Sequence, residues 1–240
     1  MNKIFIVIPC YNPPSTFKAF YNQLRPLLTD DINCLIVNDG SAADKLAYIN
    51  EVICQDPYTM LVSYPENQGK GSAIKTGITF LLNSYPKFAD FYIITADCDG
   101  QHSVEDINKF INYIIETSDD KLMLGVRTFG GWVPFHSKIG HAISNYLYNK
   151  LFKIKLPDVH CGLRSFNKNI AVKLLELPYN RFDFECAMIP YCNKLFGITP
   201  IEIAGIYNKQ NYSTTYNMRD WFLNLKTLFQ INSFLKSKNQ

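Results

Sequence analysis

Phe91-Tyr92-Ile93-Ile94-Thr95-Ala96-Asp97-Cys98-Asp99-Gly100-Gln101-His102 is the stretch on which the reading of this chain turns. An apolar, β-branched run ends in two aspartates one residue apart. Such a run fits a strand buried on both faces, and carboxylates at its end are costly unless they are paired or bound to a metal. Residues i and i+2 of an extended strand point the same way. Asp97 and Asp99 are therefore expected to address one cation, with Gln101 continuing the alternation as a third oxygen donor. Hard oxygen ligands suit Mg²⁺ or Mn²⁺. Asp-X-Asp by itself is common on protein surfaces, so its meaning depends on what surrounds it.

Outward from this stretch, similar buried runs recur: Ile4 to Pro9, Cys34 to Asp39, Met60 to Tyr64 and Leu122 to Val126. Helical patterns separate them, for example Ser72 to Ser84 with Ile74, Ile78, Leu81 and Leu82 on one face. This β-α-β alternation defines an α/β protein whose mostly parallel central sheet is flanked by helices. Past Lys155 the pattern changes to a polar turn and short strand (Asp158 to Asn167), two helices and a late strand. Met218 to Leu235 reads as an amphipathic or largely apolar helix. No repeat, low-complexity tract or linker divides the chain. One domain over 1–240 is expected, in three stretches: 1–128 for the donor, 129–217 for the acceptor and 218–240 for the last helix.

With 47% hydrophobic and 19% charged residues in 240, the composition excludes a disordered chain. The net charge of +3 gives no argument for nucleic acid. Its distribution is more telling. No Asp or Glu occurs from Lys121 to Pro157, which holds Arg127, Lys138, Lys150, Lys153 and Lys155, and Asp220 is the only acid from Gly205 to Gln240. Such stretches suit phosphate-bearing partners or an anionic membrane surface, or else form a solvated face. The seven cysteines form no CxxC pair, which favours reduced thiols in a cytoplasm. The first residues turn too soon for a signal peptide, and no run reaches the roughly 18 apolar residues of a membrane span. A cytoplasmic protein is expected, at most resting on the inner face of the membrane.

Ligands of open α/β sheets bind outside the carboxyl ends of the strands. Four ends here carry polar groups: Pro9-Cys10-Tyr11-Asn12, Asn38-Asp39-Gly40-Ser41, Glu66-Asn67-Gln68-Gly69 and Asp97-Cys98-Asp99-Gly100. Together they read as one site. Asp39 can accept hydrogen bonds from a base or ribose, or can serve an Asx turn. Gly69 and Lys70, just before a helix, suit phosphate contact through backbone N–H groups and the helix N-terminus, or a plain β-α turn. The pattern fails both the Walker A and the GxGxxG templates. His102, His136, His141 and His160 show no metal-ligand spacing, and loop or cap roles are expected for most of them.

The segments IPCYN, VNDGS, ENQGKGSAIKTG, ADCDGQH, GVR, DVHCGLRSFN and RFDFECAM occur in the order found in family 2 glycosyltransferases of the GT-A fold. The chain most resembles the dolichol-phosphate mannose synthase and polyprenyl-phosphate glycosyltransferase branch, over residues 3–190. The resemblance implies a metal-dependent, inverting transfer from a nucleotide-diphosphate sugar to a polyprenyl phosphate or membrane-associated glycan. It assigns Pro9, Tyr11 and Asp39 to the nucleotide, with Asn12 and Cys98 in the same motifs. It assigns Asp97, Asp99 and Gln101 to metal and diphosphate, Arg127 to donor phosphate or acceptor, and Arg164 to the acceptor side or to a surface. Asp183 and Glu185 become base candidates, although Ala187 stands where the family has a further acid. Pro13, Ser103 and His160 depart from the family pattern as well. A soluble or protein-linked glycan acceptor, or a nucleotide-sugar-binding protein without turnover, stays open. The basic, aromatic segment around Gly130-Gly131, Trp132 and Phe135, with Ile139, Ile143, Leu147 and Leu151 repeating at i+4, would meet an acceptor lipid. With Trp221, Phe222 and Phe229, these residues would alternatively pack in the core or in a homodimer interface.

Overall fold

The computed structural model describes residues 3–54, 56–128, 135–204 and 218–237. In chain order its strands are β1 (Lys3–Cys10), β2 (Ile32–Asp39), β3 (Thr59–Tyr64), β4 (Phe91–Thr95), β5 (Leu122–Thr128), β6 (Arg164–Asn167) and β7 (Ile198–Ala204). The helices are α1 (Thr16–Leu24), α2 (Ala43–Ile53), α3 (Lys70–Ser84), α4 (Val104–Thr117), α5 (Phe135–Phe152), α6 (Lys168–Leu174), α7 (Phe182–Leu195) and α8 (Met218–Ser237). Each expected buried run is a strand. The expected helix from Ser72 begins two residues earlier, at Lys70.

Among the described residues the strands form one sheet in the order β3-β2-β1-β4-β6-β5-β7. β1 pairs parallel with β2 and β4, β2 with β3, and β5 with β7. Only β6 runs against its neighbours, pairing antiparallel with β4 and β5. That reversal sets Arg164, at the start of β6, opposite Thr95, at the end of β4. The loop entering β6 is thereby delivered to the carboxyl edge of the sheet, beside Asp97.

Both faces of the sheet are covered, as fully apolar strands require. Phe5, Val7, Leu35, Val37, Ile93 and Leu124 face a core built with Ile74, Ile78 and Leu81 of α3 and Phe184 and Met188 of α7. Ile231 and Leu235 of α8 are buried in the same cluster, so the end of the last helix docks on the core. On the opposite face, Ile4, Ile6, Ile8, Ile36 and Ile94 pack against α1, α2 and α4.

α5 divides between the two expectations, a lipid-facing surface and core packing. Ile143 is 46% exposed, and Tyr148 instead reaches the core, its hydroxyl donating to the Cys186 carbonyl at 2.6 Å. Gly130, Gly131 and Trp132 lie outside the described residues, as do the side chains of Phe135, Ile139, Trp221 and Phe222. Among the described residues no helix is long and apolar enough to cross a membrane.

Candidate active site

The two aspartates do not continue the strand. β4 ends at Thr95, and Asp97 to Gly100 form a turn, so the expected alternation of Asp97, Asp99 and Gln101 along extended backbone does not exist. The carboxylates are separated by partner instead. Asp99 closes on its own turn, Oδ1 accepting from the Gln101 N–H at 2.9 Å, while its carbonyl accepts from Thr16 Oγ1 at 3.0 Å. Asp97 faces inward. Its Oδ1 lies 2.6 Å from Lys70 Nζ and its Oδ2 lies 3.2 Å from His102 Nε2. Cys98, between them, packs against the apolar cluster under α1 and α4.

Lys70 has a second partner. Glu185 Oε2 lies 2.7 Å from the same Nζ, so one ammonium bridges a carboxylate from the β4 turn and one from α7. Burial opposes ionisation of both Asp97 and Lys70, but the charges overcome it. Lys70 and His102 hold the Asp97 carboxyl well below the usual carboxylate range, and Asp97 and Glu185 hold Lys70 above the usual lysine value. Burial raises the Asp99 carboxyl above its usual range, and the Asp97 charge adds to the shift against an opposing bond from the Gln101 amide.

Two glycines make this convergence possible. A Cβ at Gly71 would lie 2.4 Å from Phe184 Cβ and 2.8 Å from the Arg181 carbonyl, so only glycine lets the start of α3 lie against the start of α7. A Cβ at Gly162 would lie 2.8 Å from Asp97 Oδ2 and 3.1 Å from Lys70 Nζ. The start of α3 is therefore covered by protein: Ser72 N–H donates to the Asn180 carbonyl at 2.7 Å, and Lys75 Nζ contacts Asn180 Oδ1 at 3.0 Å. The glycines around Lys70 serve helix packing, and Lys70 acts through its side chain.

Asp39 is buried and already engaged. It accepts from Gln68 N–H at 2.7 Å, Gly69 N–H at 3.0 Å and Asn67 Nδ2 at 3.1 Å, pinning the loop that leads to Lys70. Asn12 ties the first strand-end turn to the second, donating its N–H to Ser41 Oγ at 2.9 Å and accepting from Ala42 N–H at 2.9 Å. Pro9 is buried within β1, whereas Tyr11 stands 51% exposed on the rim.

Arg127 holds Asp158 through three bonds, Nε to Oδ2 at 2.7 Å, Nη2 to Oδ1 at 3.1 Å and its backbone N–H to Oδ2 at 3.3 Å. Asp158 is the first acid after the acid-free stretch from Lys121 to Pro157, a signal that could have identified it. Arg164 is 2% exposed, and its guanidinium binds the Cys161 and Glu185 carbonyls, bracing β6 to α7. Asp183 Oδ1 accepts from the Arg181 and Phe184 N–H groups at 2.8 and 3.0 Å, holding the first turn of α7. The site residues not singled out from sequence are thus Asp158, His102 and Gly162. His102 lies in the loop before α4, and its ring meets Asp97 there.

The donor set fits a hard divalent cation. Three carboxylates (Asp97, Asp99 and Glu185) against one ammonium leave two negative charges when His102 is neutral. Among the described residues no three His, Cys, Asp or Glu side chains form a complete metal cage.

The sheet, its strand-end site and its antiparallel β6 define a GT-A nucleotide-diphosphate-sugar transferase fold. Glucosyl-3-phosphoglycerate synthase from Mycobacterium tuberculosis, solved in complex with Mn²⁺, UDP-glucose and phosphoglyceric acid, superposes with a TM-score of 0.70 at 14% identity, over 97% of this chain and 80% of that one. The model of the glycosyl transferase family 2 matches residues 5–175, and the chain belongs to that family of enzymes. Among its relatives, a UDP-N-acetylglucosamine–dolichyl-phosphate N-acetylglucosaminyltransferase of Methanococcus voltae is 28% identical over 235 residues, 90% of each chain. A dolichyl-phosphate β-glucosyltransferase of Saccharomyces cerevisiae is 25% identical over 206 residues, 72% of this chain and 57% of that protein.

Proposed function

We propose that this glycosyltransferase moves a sugar from a nucleotide-diphosphate donor to a polyprenyl phosphate, with inversion at the anomeric carbon. The observation that carries the reading is that each base candidate already has one carboxylate oxygen engaged by the protein. Asp183 is bound to two backbone N–H groups, and Glu185 is paired with Lys70. A hydroxyl acceptor needs a free base, whereas a phosphate is already ionised at neutral pH. The acceptor oxygen bonds to the anomeric carbon as the bond to the diphosphate oxygen breaks, and the nucleoside diphosphate leaves with the electron pair. No proton has to be removed. The dolichyl-phosphate acceptors in the relatives' names support the same choice.

Asp99 and Asp97 would hold a divalent ion, Mg²⁺ or Mn²⁺, which when bound neutralises charge on the departing diphosphate. Mn²⁺ and UDP-glucose in the M. tuberculosis enzyme support this assignment. Arg127, kept in place by Asp158, presents a fixed cation toward phosphate, and Asp39 and Asn12 shape the nucleotide end of the cleft.

Asp183→Asn tests the reading. Asparagine keeps an oxygen for the helix start, so turnover is expected to stay within about threefold of wild type. Loss of a general base typically costs 10²–10⁴-fold, and a fall of that size in a steady-state assay would overturn the phosphate-acceptor reading.

A lipid acceptor requires contact with a membrane surface. Ile143, Tyr146 and Lys150 share an exposed face of α5, with Lys150 Nζ 5.8 Å from the Tyr146 ring centroid, and Lys153 and Lys155 follow, also exposed. Each lysine near an anionic leaflet contributes about 1 kcal/mol, so replacing Lys150, Lys153 and Lys155 by glutamine is expected to weaken binding roughly a hundredfold. Liposome flotation at low and high salt checks this. Absence of wild-type binding at low salt would remove the membrane contact.

A further inference from the structure

The two carboxylates that share Lys70 are not equivalent. Both oxygens of Asp97 are occupied, Oδ1 by Lys70 and Oδ2 by His102. Glu185 is engaged at Oε2 only. Its Oε1 is buried with no hydrogen-bond partner, in a side chain 8% exposed. A buried acceptor without a partner costs free energy comparable to a lost hydrogen bond, and more for a charged group. Lys70 carries three N–H donors, and its Nζ already lies within bonding distance of Glu185. Arg164 and Met188 fix the backbone beneath Glu185, since the Arg164 guanidinium holds both the Glu185 carbonyl and Met188 Sδ. The acceptor that lacks a partner therefore sits on a braced turn of α7, on the same carboxylate that already meets Lys70. Nζ also lies 5.9 Å from the centroid of the Phe182 ring.

A cation bound by Asp97 must replace one of its two present partners. His102 is itself buried, with a side chain 5% exposed, and among the described residues it makes no other hydrogen bond or ion pair that would draw it away. Lys70 has Glu185.

We propose that Lys70 is a displaceable counter-cation of the metal turn and that Glu185 is its alternative seat: when a divalent ion takes Asp97, Lys70 leaves Asp97 Oδ1 and binds both oxygens of Glu185. Glu185 is then a positioning residue. Its charge keeps Lys70 from competing with the metal, and Lys70 in turn stays beside the diphosphate as a second positive charge. This rests on the metal-dependent reading of the site given above.

The test is Mn²⁺ affinity of the full-length protein, measured by electron paramagnetic resonance with and without UDP, for wild type, Glu185→Gln, Lys70→Met and the double variant, each checked by melting. Removing Glu185 is expected to weaken Mn²⁺ binding roughly tenfold when Lys70 is present and by less than about threefold when it is Met. Lys70→Met alone should tighten it. Equal weakening in both backgrounds would show that Glu185 acts through its own charge, and the proposal would fail while metal dependence stood. If wild type binds no Mn²⁺ even with UDP, both readings fall. Should Lys70→Met not fold, wild-type protein with ¹⁵N-labelled lysine side chains reads the same step. Mg²⁺ should shift the Lys70 ammonium resonance, and an unmoved resonance with Mg²⁺ bound overturns the proposal.

Discussion

Asp99→Asn is expected to reduce transfer by about 10³-fold or more, because a metal neutralising a leaving diphosphate supplies several kcal/mol of transition-state stabilisation. The fold should be untouched. Asparagine keeps the Oδ1 that accepts the Gln101 N–H, and the backbone carbonyl that accepts Thr16 Oγ1 is unchanged. The sign of the stability effect follows from the environment of the carboxyl group. Burial raises its folded pKa, so the ionised form costs stability above the unfolded pKa, and removing the charge should leave the melting temperature equal or slightly higher at neutral pH. Turnover together with thermal denaturation checks both halves. Wild-type turnover of the variant, or of the wild type in excess chelator, would contradict the metal assignment.

Gly71→Ala should have the opposite signature, with stability and activity lost together. Its Cβ would meet Phe184 Cβ at 2.4 Å and the Arg181 carbonyl at 2.8 Å, and neither is the end of a flexible side chain. α3 and α7 have to separate, at a cost of roughly 2–3 kcal/mol, a fall in Tm of about 5–10 °C for a chain of this length. The same movement pulls Lys70 on α3 away from Glu185 on α7. Differential scanning calorimetry and the transfer assay check the pair. An unchanged Tm would mean that the helix starts are not packed as described.

These two residues also mark what could be read from sequence and what could not. Asp97 and Asp99 were legible because a buried run ending in carboxylates is anomalous under local rules alone. Their geometry was not, because the strand stops at Thr95 and a turn redirects both side chains. The GKG segment was legible as a special backbone that suits phosphate contact or a plain β-α turn, and nothing local reveals that Asn180 to Phe184 cover that helix start. The Lys70–Glu185 pair spans the antiparallel return of β6 and the packing of α7, long-range facts with no sequence period. Asp39 shows how local rules leave roles open: its turn chemistry is real, and its carboxylate is used to hold Gln68 and Gly69. The i+4 stripe on α5 left two readings open, a lipid-facing surface or core packing. Ile143 follows helical spacing, but the face that reaches the core is the one carrying Tyr148.

The acceptor is expected to attack as an ionised phosphate without help from a protein base. Transfer of labelled sugar from a nucleotide-diphosphate donor should therefore be followed with two acceptors that differ only in the head group, a polyprenyl phosphate and the corresponding polyprenol, in the same detergent with Mn²⁺. Labelled product is expected with the phosphate and none above background with the alcohol, and comparable turnover with the alcohol would contradict the account.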